Sequence, residues 1–342
     1  MKTTNRQQRD QLKRQRDLER ALREATKYED HQRAKLEVDA HNAALESLLS
    51  VHQQSADPID WKAMAFALPP HAPTFYSKNY LRKMLSRFLI RDTRGRADDE
   101  IQEMWQQDEQ DYKARCSEHQ KSIEKWAELK NLAFRILSGD LAAYGEALLV
   151  FQPFSELSEL GSEIRFKAHD FKKVSCNLKI NGLEIIPNET KALTAAGKLS
   201  VKVMPKSKFH DIYQDFACGC CLRIGREIFS LLPVEYVLAN IEVSEVDTTS
   251  GCFANITILS VLLDRPTIER LNFTQLDPSD SMQNFIARGD VKISKKTGAF
   301  APIVPLAYEE LDLEPPRGED LYSQIRRIEN TLNRYKNKSK AV

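Results

Sequence analysis

Glu189-Thr190-Lys191 places a carboxylate and a lysine two positions apart, with one residue between them. On an extended strand, residues two apart share a side. Asp170, from a preceding strand, would add a second carboxylate. Together they would hold Mg²⁺ and orient a water against a phosphodiester. Against this stands a simpler reading, because Glu-x-Lys also occurs on solvated turns. A second group is the thiol cluster Cys218, Cys220 and Cys221. Cys218 and Cys221 lie i, i+3 and would share one helix face, with His210 or Asp215 nearby. A structural zinc site takes four ligands, normally from two separated pairs. Cys116, Cys176 and Cys252 stand alone in the sequence, so no metal is assigned and no cofactor is expected. The thiols read instead as small side chains filling a tight helix–sheet contact.

The order helix, strands, helix, strand over about residues 141–246 carries Asp170, Glu189 and Lys191. It resembles the core of the PD-(D/E)XK nuclease family. The resemblance implies an Mg²⁺-dependent nuclease, for instance of a bacterial defence system, with those three residues as its catalytic set. The chain departs from the pattern at Pro187-Asn188, where a buried apolar strand belongs. His169-Asp170 also lacks the family's proline.

A third group is basic. Arg82, Lys83, Arg87, Arg91, Arg94 and Arg96 follow Lys78, with Asp92 as the sole acid between Lys78 and Arg96. They suit phosphates of a nucleic acid or another anion, a membrane surface, or packing of an ordinary amphipathic helix against acidic neighbours. The chain has no Walker A loop, Gly-rich dinucleotide fingerprint, HExxH or GxSxG.

Composition bounds the rest. The 342 residues hold 50 Lys+Arg and 49 Asp+Glu, and the charge is unevenly placed. Residues 1–35 and 317–342 are basic, and the span between them is acidic apart from Lys78–Arg96. Hydrophobic residues are 42%, too many for a wholly disordered chain. Apolar runs are far shorter than the roughly 20 residues that cross a bilayer. The first twenty residues lack an apolar core, so a secretory signal is not expected and a cytoplasmic protein with reduced thiols is.

The elements that must position these groups follow from periodicity. Residues 1–52 contain neither Pro nor Gly and read as one long helical arm. Its later stripe, Ala34, Val38, His41, Leu45 and Leu48, steps by fours and threes, as a helix facing another helix does. Residues 53–77 form a Pro-rich connector, with Asp57-Pro58 as an N-cap and first helical residue. Residues 78–140 hold the basic amphipathic helix and a second long arm, closed at Gly139. Residues 141–310 form an α+β domain, and residues 311–342 a C-terminal helix. In that domain Val174, Cys176, Leu178 and Ile180 alternate with polar residues. Asn181-Gly182 then predicts a two-residue hairpin. The apolar helix from Ser207 to Leu232 is expected to be the buried core of an antiparallel sheet.

The reading is therefore an α+β protein: long coiled-coil-like helical hairpin arms, then an antiparallel-sheet domain with a buried central helix. Its expected role is a non-enzymatic interaction or scaffold protein, a homodimer or higher oligomer with a protein partner. The alternative is a nucleic-acid-binding effector or PD-(D/E)XK-like nuclease using Mg²⁺.

Overall fold

The computed structural model describes residues 2–75, 96–155, 163–246, 251–289, 291, 300–311 and 313; for 2–18 and 96–104 it describes the backbone alone. The chain divides into two compact units. The first takes in Met1–Pro58 and Phe151–Glu314, the second Ile59–Val150. Residues 1–52, read from the sequence as an arm apart from residues 141–310, thus lie in the same unit as the sheet.

In the first unit, α1 spans Lys2–Leu49 without interruption. Its length follows from a stretch that holds neither Pro nor Gly and is rich in Leu, Ala, Gln, Glu, Lys and Arg. The predicted stripe is the face it buries: Ala34, Val38 and Leu48 are buried, His41 and Leu45 half-buried. Spacing alone pointed to another helix as its partner. A helix, α5 (Lys206–Leu231), is among the elements that α1 packs on, but so is a β-hairpin, β3 (Glu189–Leu193) with β4 (Leu199–Val203). A stripe of small and branched side chains seats equally well on a twisted ribbon.

The main sheet has five strands in the order β1-β2-β5-β6-β7. These are β1 Glu163–Ala168, β2 Lys173–Lys179, β5 Tyr236–Val246, β6 Phe253–Asp264 and β7 Ile286–Arg288. The antiparallel expectation needs correction at its centre, where β2 and β5 run parallel. A parallel neighbour requires a crossover, and β3, β4 and α5 supply it. Nor does Asn181-Gly182 make a hairpin. Gly182 has φ −68°, whereas the two-residue turn needs positive φ. The Ile180 amide donates to the Glu242 carbonyl, and the Tyr213 hydroxyl to the Asn181 carbonyl. The chain then turns through a short 3₁₀ segment, Leu183–Ile185.

One face of this sheet is fully apolar. Val174, Cys176 and Leu178 on β2 meet Val237, Ala239 and Ile241 on β5 in register, all buried. Against the sheet lies α5, buried over most of its length. Small residues at Ala217–Cys221 admit close neighbours, as expected. A Cβ on Gly219 would stand 2.9 Å from a Val51 methyl carbon, which requires a shift. The opposite face is covered at one end by a cluster of Leu238, Leu262, Leu306 and Tyr308.

In the second unit, α2 (Trp61–Ala65) is capped by Asp60, which accepts from the Ala63 amide; Asp57, the expected cap, is not used. The chain after α2 runs along α3 (Arg96–Leu137). There the Trp126 indole donates to the Ala67 carbonyl, and Phe75 packs on Trp105 and Tyr112. Gly139, with φ 78°, ends α3 as expected. α4 (Leu141–Phe151) follows, with Arg135 paired to Asp140 and Glu146.

Candidate functional site

The two ends of α1 differ. From His31 onward the helix is held: His31 Nδ1 lies 3.0 Å from the Gly197 carbonyl, and Glu37 meets Lys191 at 3.4 Å. From Glu19 to Asp30 every residue is exposed, including Leu22 at 60% and Tyr28 at 66%. Twelve residues of helix at about 1.5 Å each give roughly 18 Å of rod with water on all sides. So polar a stretch has no covered apolar face to support it, and helices without tertiary packing are marginal in water.

The helix is anchored where it ends. Arg226 donates to the carbonyls of His52 and Gln53, each at 2.7 Å, and of Gln54 at 3.3 Å. Arg223 pairs with Glu227 at 2.6 Å, and both side chains are almost wholly buried. Arg223 also reaches the Gln54 side chain, and Glu227 accepts from the Ala56 amide. One turn of α5 thereby grips the whole exit of α1. Burial lowers the pKa of Arg226, and the Arg223 charge lowers it further, yet guanidinium stays charged at neutral pH. His52 is buried in the same grip and its pKa is lowered, first by burial; the Phe273 carbonyl opposes this, and Arg226 adds to it.

The expected catalytic set is dispersed. Asp170 lies in the turn between β1 and β2, where one carboxylate oxygen accepts from the Lys172 and Lys173 amides, each at 2.8 Å. That is a local turn cap. Glu189 and Lys191 lie on the other sheet, and Lys191 is engaged with Glu37. Among the described residues no three His, Cys, Asp or Glu side chains group to hold a metal. Cys218, Cys220 and Cys221 are all buried, and burial pushes the Cys218 thiol up to about 12 and the other two also upward. They are neutral packing groups, not nucleophiles. Arg82, Lys83, Arg87, Arg91 and Arg94 lie outside the described residues, and Arg96 is the first residue of α3.

A polar row escaped the sequence reading. Arg165, Asn177, Asn240 and Ser260 stand opposite one another across β1, β2, β5 and β6. Ser260 donates to Asn240 at 2.6 Å, Asn240 to Asn177 at 3.1 Å, and Asn177 to Glu242 at 2.6 Å. Arg165 closes the row on Glu242, and the Leu306 amide donates to Ser260. The signal was present: Asn240, Glu242 and Ser260 interrupt strands otherwise apolar enough to be buried. Every polar group named here finds a partner within the row, which fixes strand register. No described helix is long and apolar enough to cross a membrane. No model of a known protein family matches this chain, and no curated protein or solved structure is significantly similar to it.

Proposed function

We propose that the chain is a non-enzymatic interaction protein that self-associates through the N-terminal part of α1 and presents the sheet domain as a binding module. The observation that carries this reading is the contrast along α1: an exit gripped by buried charges, and a far stretch, Glu19 to Asp30, solvated on every side. A rigidly anchored, otherwise unsupported helix gains most from a second helix laid against it.

Charge favours an antiparallel arrangement of two copies. Residues 2–18 hold six Lys/Arg and two Asp/Glu, whereas residues 19–49 hold five and seven. The basic start of one α1 therefore complements the acidic outer surface of the other. Leu18, Leu22 and Ala25 supply the apolar contact between them, steps of four and three.

Multi-angle light scattering on the full chain tests this. The expected mass is twice 39.2 kDa at micromolar concentration, falling to the monomer in a Leu18→Lys/Leu22→Lys double variant. A wild-type chain that stays monomeric as concentration rises would overturn the reading.

A further inference from the structure

A cavity of about 510 Å³ opens beside the edge strand β7, entirely within the first unit. Small-molecule sites fall in the range of roughly 300–1,000 Å³. Its apolar walls are Tyr236, Phe285, Ile286 and Leu313; its acidic groups are Glu235 and Asp264. Leu313 and Tyr236 also pack on the cluster of Leu238, Leu262, Leu306 and Tyr308, which gives the back of the cavity a fixed shape.

Among the described residues the charges around it do not cancel. Glu235 is paired with Lys172 at 2.8 Å. Asp264 accepts from the Thr267 amide as the N-cap of α6 (Arg265–Arg270), a neutral partner. The adjacent cation, Arg265, is turned to other work: it donates to the carbonyls of Phe229, Leu232 and Val234 at 2.6–3.0 Å. Arg288 on β7 is likewise taken by Glu310 at 2.9 Å. Among the described residues, two carboxylates thus share one cation next to two aromatic side chains and two aliphatic walls. A positive head finds a carboxylate and aromatic side chains in that lining, and an apolar body finds the remaining surface.

We propose that this cavity binds a small organic amine, an ammonium group carried on an apolar or aromatic body. The site is remote from α1, and the proposal does not rest on self-association.

Calorimetric titration of the full chain with phenethylamine tests it, with phenethyl alcohol and phenylacetate as neutral and anionic probes of the same shape. The amine binds, the alcohol binds about tenfold more weakly and the acid gives no heat. Asp264→Asn keeps an N-cap acceptor, and Glu235→Gln keeps the shape of its side chain. The double variant, which also loses the Lys172 ion pair, should melt somewhat below wild type, keep the wild-type circular dichroism spectrum at 25 °C and lose amine binding by about tenfold or more. Ile286→Trp, at a half-exposed position on the cavity wall, should abolish binding by filling the space. No heat with the amine up to about 10 mM, equal binding of amine and alcohol, or undiminished binding in either variant overturns the proposal.

Discussion

The helices α1 and α5 are both long, and they are built on opposite plans. Sixteen of the 26 residues of α5 are buried, among them an arginine and a glutamate. Of the residues of α1 whose side chains are described, 19–49, only Ala34, Val38 and Leu48 are buried. α5 fixes the fold by being surrounded. α1 is fixed at one end and along one stripe, which leaves the rest of its surface for something else. Length and helicity therefore say little about role; what decides is how many sides of a helix the rest of the chain covers.

The sharpest break in that contrast comes from the grip. Glu227→Ala leaves the Arg223 charge buried without its partner, and the expected loss of stability is about 3–5 kcal/mol. Urea unfolding followed by circular dichroism measures it; a loss near that of a surface substitution would show that the pair is not the anchor. A smaller effect follows from His52. Its folded-state pKa lies below the ordinary 6.5, so the proton is bound more readily by the unfolded chain. Stability is then complete above pH 6.5 and declines as pH falls through the lowered folded value. Melting temperatures between pH 5 and 8 should show this decline, and His52→Gln should flatten it; a decline unchanged in the variant assigns the effect elsewhere. The smallest effect belongs to the exposed stretch. Leu22→Ala should change unfolding stability by less than about 0.5 kcal/mol at concentrations where the chain is monomeric. A larger loss would mean that Leu22 is covered within its own chain.

Much of this architecture was legible, for local reasons. The extents of α1 and α3 follow from long stretches without Gly or Pro. The alternation of Val174, Cys176 and Leu178 is the buried face of β2. The small residues around Gly219 do mark a close approach. What was not legible is what depends on distant partners. The Ala34–Leu48 stripe states that something lies against it, but whether a helix or a β-ribbon is a tertiary choice. Asn181-Gly182 has the residues of a hairpin, yet β2 already has β1 and β5 on its two edges, which leaves no place for a returning strand. Glu189 and Lys191 share a strand as read, and Asp170 occupies a turn of the other sheet, a separation that spacing does not encode.

The parallel seam between β2 and β5 has a bearing on how the protein forms. Each of its flanking hairpins can zip up from its own turn, but no turn can bring those two strands side by side. They wait for the crossover to be laid down, so the Asn177–Asn240 and Arg165–Glu242 pairs that bridge the halves belong to a late event. Until then the edges of both hairpins stay open, and a chain stalled at that stage offers them to its neighbours.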